Sequence, residues 1–301
     1  MRVVTGASGF IGSHLAQELL ARGYSVLGVD KLMNEHTAEL IESGMLFLQK
    51  DCSDITLNEF KQKEIECIYH LAAVKKKEES IGYYKLVDAN VSSTANFLDL
   101  ASELNSKFVY ASSLYAYGNY STKSHEKDKL LPRNLYGASK AAGEMIVMSK
   151  AMNYKQSCSI ARLYFVVGDS SRYSNYENVI NKFVSNAIRG EPLSVFGTGN
   201  SKLNYIWIKD VVTSLITLGE LEESQVVNIA NDRSCSVLQI AQYIAEIFNV
   251  SIVHHSEDWT EGLIRDGDNS MLRTLLPAHD FTTIKEIVER VVNLRGHKVE
   301  K

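Results

Sequence analysis

No stretch of this 301-residue sequence is apolar for long enough to cross a bilayer, which excludes a helical membrane span as its working element. Its four cysteines, Cys52, Cys67, Cys158 and Cys235, form no C-x-x-C pair. That excludes a cysteine zinc site and a disulfide framework, and fits buried, reduced thiols in a cytoplasmic protein. A strong charge of either sign is also missing. The 32 Lys and Arg against 36 Asp and Glu leave a net charge of −4, which argues against nucleic acid or an anionic membrane surface as partner. Neither an internal repeat nor a low-complexity tract is present, and the chain opens directly on a strand pattern, so no signal peptide is expected. What is left is globular: 45% hydrophobic and 23% charged residues suit one large or two modest domains with ample core.

What the sequence does have stands at its start, RVVTGASGFIGSHLAQELL from Arg2. A short apolar run, Val3-Val4, reads as the end of a buried strand. Gly6, Gly9 and Gly12 follow with G-x-x-G-x-x-G spacing, and then Ile11, Leu15, Leu19 and Leu20 recur on one helical face. Glycine permits the tight turn and a close backbone approach to a pyrophosphate. The helix N-terminus offers N–H groups and the positive end of its dipole. The next strand ends at Asp30, about 20 residues on, where a carboxylate accepts hydrogen bonds from both ribose hydroxyls of NAD and repels the extra phosphate of NADP. Lys31 beside it is a cation that tolerates such a phosphate.

After Asp30 strand and helix patterns alternate. Strands are expected at 45–48, running into Asp51 and Cys52; at 67–71, running through Leu71 into Ala72-Ala73; at 108–111, ending in Ser112-Ser113; and at 157–163. Helices are expected at 57–63, 87–104 and 136–153, and a later one from Asp210. This predicts a parallel sheet wound on both faces, with ligands at the carboxyl ends of its strands. The small residues Ala72 and Ala73 let the backbone pack close to a cofactor. Beyond about 165 the regularity weakens. The polar stretch 170–178, with Tyr173 and Tyr176, reads as a loop or lid, and the second half as a smaller α/β unit.

Tyr136-Gly-Ala-Ser-Lys140 opens the helix at 136–153, so its Tyr and Lys share a face. A phenol loses its proton near pH ~10. An ammonium one turn away is expected to lower that value and make Tyr136 a base toward a sugar hydroxyl. Ser113, at a strand tip upstream, can bridge the same oxygen. Ser112 is a weaker candidate for the same surface.

The motifs TGASGFIGSHL, HLAAVKKKEES, VYASSLYAYG, LYGASK and RLYFVVG together resemble the extended short-chain dehydrogenase/reductase family, most closely NAD-dependent nucleotide-sugar epimerases of the UDP-glucose 4-epimerase type. The likeness spans nearly the whole chain. It implies a Rossmann-type, doubly wound parallel sheet over 1–165, with segments near 204–232 returning to it, and a smaller α/β substrate-binding domain over 166–301. It implies a hydride-transfer triad of Ser113, Tyr136 and Lys140. It also implies that Phe10, Ile11 and Gly12 cover the NAD pyrophosphate, that Asp30 and Asn34 hold the adenosine ribose, and that Asp51 and Cys52 read the adenine edge. Lys75 matches a lysine beside the nicotinamide ribose, and Asn90 an asparagine on the helix after it. Lys76 and Lys77 read as a solvated run. A dehydratase of the family places Asp-Glu after its threonine; Leu114-Tyr115 stands there, which argues for epimerisation. A reductase with net cofactor turnover is the alternative. In the substrate half Asn178 matches a uridine-side asparagine and Arg265 a diphosphate arginine. Phe165 replaces an asparagine of the family pattern, and Leu203-Asn204-Tyr205 lacks the arginine of R-D-[FY], with Lys202 or Arg189 as substitutes. Such enzymes often form homodimers, and the helices at 87–104 and 136–153 are placed for that.

Overall fold

The structure, a computed structural model, describes residues 1–75, 82–118, 122–169, 173, 178–257 and 264–297. Lys76, Lys77, Tyr176 and most of the stretch read as a lid lie outside the described residues. The chain begins with β1 (Arg2–Thr5), α1 (Phe10–Ala21), β2 (Val26–Asp30), α2 (Glu35–Glu42), β3 (Leu46–Gln49) and β4 (Cys67–His70). Helices α3 (Tyr83–Val87) and α4 (Ser93–Glu103) run on through a π-helical turn at Asp88–Ser92. Then come β5 (Lys107–Ser113), α5 (Leu135–Tyr154), β6 (Cys158–Leu163), β7 (Phe165–Val167), α6 (Val179–Ile188), β8 (Leu193–Phe196), β9 (Lys202–Leu203), β10 (Tyr205–Trp207) and α7 (Ile208–Glu220). The last elements are β11 (Gln225–Ile229), β12 (Cys235–Ser236), α8 (Val237–Phe248), β13 (Ile252–His255), β14 (Ile264–Arg265), α9 (Ser270–Leu275) and α10 (Ile284–Leu294).

The main sheet has seven strands in the order β11-β6-β5-β4-β1-β2-β3. The pairings of β1 with β2 and β4, β2 with β3, β4 with β5, and β5 with β6 are all parallel. Parallel neighbours need crossovers, and the intervening helices supply them. Strands β1, β4, β5 and β6 are buried along their whole length, as strands covered on both faces must be. This is the Rossmann-type α/β sheet expected from the sequence. From β1 the chain builds outward to β3, then restarts at β4 on the other side. That reversal opens a crevice at the carboxyl ends of β1 and β4.

The chain divides into two compact units. One holds Met1–Gly118, Asp128–Leu163 and Val212–Val227; the other holds Asn119–Lys127, Tyr164–Val211 and Asn228–Lys301. In the first, Val3, Val29, Ile68, Phe97, Phe108, Tyr110, Val147 and Ile160 join sheet and helices into one core. In the second, β7 pairs with β10, β9 lies between β12 and β14, and β13 pairs with β8.

Three expectations need correction. The helix at 57–63 is only a 3-10 turn, Leu57–Phe60, started by a Thr56/Glu59 capping box and ended before Gln62, whose φ is 62°. The helix at 87–104 starts earlier, at Tyr83, and is not uniform, since five of its residues are π-helical. The helix expected from Asp210 starts at Ile208, directly after β10.

Candidate active site

The glycine motif forms the turn between β1 and α1. Gly6 sits at φ 69°, and a Cβ there would lie 2.9 Å from the backbone N of Ala72. Gly12 is tighter still: its Cβ would fall 2.1 Å from the Gly6 carbonyl oxygen. Gly9 donates to that same carbonyl at 2.9 Å and caps α1 without a side chain. The first-turn amides of Ile11 and Gly12 have no partner within the helix. The cradle therefore presents bare backbone at the crevice, as a pyrophosphate requires.

Asp30 closes the next side. Its Oδ2 accepts from Ser8 N at 3.1 Å and its Oδ1 from Leu32 N at 3.0 Å. Burial pushes its carboxyl above the ordinary range, and those backbone bonds oppose the rise. A carboxylate has about four acceptor positions, so two bonds leave room for ribose hydroxyls. The Lys31 ammonium lies 3.4 Å from Asp51 Oδ2, and its charge also favours the Asp30 carboxylate. Asp51 also accepts from the Ser53 amide and hydroxyl, which hold it below the ordinary carboxylate range against some burial. Cys52 is buried, and burial pushes its thiol up to about 12. Asn34 caps α2: its Oδ1 accepts from Thr37 N, and its Nδ2 donates to Ser8 O at 2.9 Å. The Ser8 hydroxyl completes this link, donating to Leu32 O and accepting from Thr37. The N-x-x-T pattern at Asn34–Thr37 is a local signal for Thr37, whereas nothing local in the sequence points to Ser8.

At the end of β4, Thr5 Oγ1 accepts from Leu71 N and Ala72 N, each at 3.1 Å, and lies 2.9 Å from His70 Nδ1. His70 is fully buried, its Nε2 has no partner among the described residues, and burial holds its pKa down at about 3 with Lys140 as the second cause. Asn90, inside the π-helical turn, binds Val74 through both its amide groups and donates to Ser139 at 2.9 Å. It ties the loop carrying Ala73 and Lys75 to α5. Thr5, His70 and Ser139 had no motif to point to them.

The triad residues meet at the end of β5. The Ser113 hydroxyl caps the turn that carries Tyr115 and hydrogen-bonds the Tyr136 phenol. Tyr115 packs edge-on against Tyr136 with ring centres 6.0 Å apart. The Lys75 ammonium stands 4.9 Å over the Tyr115 ring and 5.6 Å over the Tyr136 ring. Lys140 is buried; its ammonium donates to Ala111 O at 2.8 Å and lies 4.9 Å over the Tyr110 ring. Burial lowers Lys140 to about 7. Burial also raises Tyr136 to about 12, with the Ser113 bond working the other way. The expected lowering of the phenol by Lys140 is not found: burial is the main influence, Ser113 opposes it, and Lys140 is not among the groups acting on the phenol. Ser112 faces the opposite side of β5 from Ser113, and its hydroxyl donates to Glu144 instead.

In the second unit, Asn178 caps α6 through Oδ1, while its Nδ2 is buried and has no partner among the described residues. Arg265 lies directly across from Leu203 in the β9–β14 pair. Asn204 is fully buried and bonds Asn231 and Asp266. Arg189 is tied to Glu191 on the surface.

A glycine cradle, a ribose-facing acid and a Ser-Tyr-Lys group on one parallel sheet define a nicotinamide-dependent hydride-transfer protein. Residues 2–230 match the NAD dependent epimerase/dehydratase family, and the chain belongs to it. NAD is accordingly its cofactor, and the bare-backbone cradle and the unsaturated Asp30 carboxylate fit that molecule. Among its relatives is a dTDP-D-glucose 4,6-dehydratase of Dictyostelium discoideum, 30% identical over 83% of this chain. The match spans 62% of that relative's length. A UDP-N-acetyl-alpha-D-glucosaminuronate decarboxylase of Bacillus cytotoxicus is 28% identical over 84% of this chain and 82% of its own. Among solved structures, the UDP-glucose 4-epimerase of Thermotoga maritima with UDP-glucose superposes with a TM-score of 0.87 at 25% identity, covering 98% of this chain and 99% of that one. The UDP-glucuronic acid 4-epimerase of Bacillus cereus, with UDP-glucuronic acid and NAD, gives 0.83 at 25% identity over 98% and 100% of the two chains.

Proposed function

We propose that the protein is an NAD-dependent epimerase of a nucleotide sugar. The observation that carries this reading is the Ser113–Tyr136 hydrogen bond at the end of β5, with buried Lys140 one turn further along α5. NAD, when bound, would supply the hydride acceptor and a positive charge. Tyr136 removes the proton from the sugar hydroxyl and later returns it. Ser113 holds the same oxygen, accepting from the hydroxyl and donating to the carbonyl that replaces it. Lys75, whose ammonium faces the Tyr136 ring, and Lys140 favour the phenolate by charge.

Gly6, Gly9, Phe10, Ile11 and Gly12 hold the pyrophosphate in this reading, and Asp30 the adenosine ribose. Asp51, Leu71, Ala72 and Ala73 line the cofactor path. Asn34 and Asn90 act by fixing the loops beside it. Within the second unit, Asn178 Nδ2 and Arg265 are the proposed nucleotide contacts; the orphaned amide supports the first. Leu114-Tyr115, in place of a carboxylate pair, speaks for epimerisation over dehydration.

A homodimer through the helices expected at 87–104 and 136–153, which the structure builds as α3 running on into α4 and as α5, is part of the proposal. These helices expose Tyr83, Tyr84, Val87, Met145, Met148 and Met152, more large apolar side chains than such elements ordinarily leave in water. A cytoplasmic location agrees with four buried free cysteines. Among the described residues, no helix is long and apolar enough to cross a membrane.

The test is incubation of the purified protein with UDP-glucose or UDP-glucuronic acid, without added reductant, followed by NMR of the sugar. Inversion at one carbon, abolished in Tyr136→Phe, is the expected result. Steady NADH consumption with a keto sugar would assign a reductase instead. Loss of carbon dioxide would assign a decarboxylase.

A further inference from the structure

Glu144 stands one helical turn beyond Lys140, and no motif pointed to it. Its side chain is completely buried. Oε1 accepts from Arg162 Nε at 3.0 Å and from the Ser112 hydroxyl, and Oε2 accepts from Arg162 Nε at 3.0 Å and Nη2 at 2.7 Å. Arg162 Nη1 donates to the Tyr117 hydroxyl at 2.7 Å, and its guanidinium lies 4.6 Å over that ring. Every end of the pair is thus held.

The last residues of β5 each meet α5 in turn. The Ala111 carbonyl takes the Lys140 ammonium, the Ser112 hydroxyl takes Glu144, and the Ser113 hydroxyl takes Tyr136. Tyr136, Lys140 and Glu144 lie four residues apart and share a helix face. A small slide of α5 along β5 breaks all of these bonds together. A buried ion pair adds little net stability, because desolvation offsets most of its attraction. Its field on what it faces is large, because the surroundings screen it poorly. The groups facing Lys140 are Glu144 on α5, Tyr110 on β5 and His70 on β4, with Tyr136 one turn back on the same helix face; Arg162 on β6 stands behind Glu144. Glu144 is the one anion among them.

We infer that the buried Glu144–Arg162 pair, with Ser112, is the positioning element of the site. It fixes the register of α5 on the end of β5 and supplies the negative charge that keeps the Lys140 ammonium protonated. This rests on the reading of Tyr136 and Lys140 as catalytic. Burial already draws Lys140 down to about 7, and Glu144 is the group opposing that fall.

The test replaces both partners at once, Glu144→Leu with Arg162→Met, so that no buried charge is left unpaired. The Lys140 side chain is followed by NMR of the cofactor-free, 13C-lysine-labelled protein, assigned with Lys140→Arg. The double variant should fold, with a Lys140 titration midpoint lower by about one pH unit or more. Its kcat should fall at least about tenfold, with KM within about twofold of the parent. A folded double variant with parental midpoint and kcat overturns the inference. Ser112→Ala, which leaves Arg162 paired, is measured beside it. Its kcat should fall several-fold and recover in Ser112→Thr; an unchanged kcat in Ser112→Ala also overturns the inference. A lowered Lys140 midpoint in a protein that turns over no nucleotide sugar supports the positioning element and sinks the reaction assignment.

Discussion

Replacing Lys140 by Met should make the cofactor-free protein more stable at neutral pH while abolishing its turnover. Lys140 is 2% exposed, and its ammonium sits on the Ala111 carbonyl. Burial draws its pKa from 10.5 to about 7. At 1.36 kcal/mol per pH unit, that fall corresponds to roughly 4–5 kcal/mol held against the folded state. The unfolded chain keeps the proton up to about 10.5, whereas the folded chain releases it near 7. Between those values the unfolded state binds more protons, so stability rises with pH. The cost is fully present below about pH 7 and has faded by about pH 10.5. Met fills a similar volume without charge and forfeits the bond to Ala111, a loss on the order of 1–3 kcal/mol. The variant should therefore gain on the order of 1–3 kcal/mol at pH 7. Urea unfolding of both cofactor-free proteins at about pH 7 and about pH 9.5 checks this. The variant's midpoint should be higher at the lower pH, and the gap should narrow at the higher one. A variant less stable at neutral pH, or a gap indifferent to pH, refutes the reasoning.

Gly12→Ala should displace the turn, because its Cβ would lie 2.1 Å from the Gly6 carbonyl oxygen; calorimetry should show NAD affinity reduced at least about a hundredfold. Asp30→Ala should bring the affinities for NAD and NADP toward parity, read by competitive binding, since the acid that repels a 2′-phosphate is gone. A parent protein that already binds both equally would show that Lys31, though paired with Asp51, outweighs Asp30. Met148→Glu places a charge on the exposed face of α5, where the parent side chain is 39% exposed. Light scattering is expected to find a dimer for the parent and a monomer for the variant, with the melting temperature unchanged.

Much of the first unit was legible because its signals are local. The glycine spacing specifies a turn that only bare backbone can make. The apolar runs at β1, β4 and β5 read as strands because parallel strands buried on both faces have no polar alternation to confuse them. The short strands β9, β12 and β14 carry two residues each, too few for any periodicity to register. Asn90 was legible as a position but not as a clamp between the Val74 loop and Ser139, for its bonds join residues 16 and 49 apart in the chain.

The sequence by itself determined the order of the first six strands, the cradle, the acid at the end of β2 and the spacing of Tyr136 and Lys140. Each depends on neighbours a few residues away and on a fixed helical or strand period. The state of those groups was decided only by the tertiary structure. Burial raised the Tyr136 phenol and lowered Lys140. Strand alternation sent Ser113 to the phenol and Ser112 to Glu144. The pairing of Glu144 with Arg162 arose where α5 lies against β6. Desolvation and long-range charge depend on what surrounds a group in space, and no short window of sequence contains that.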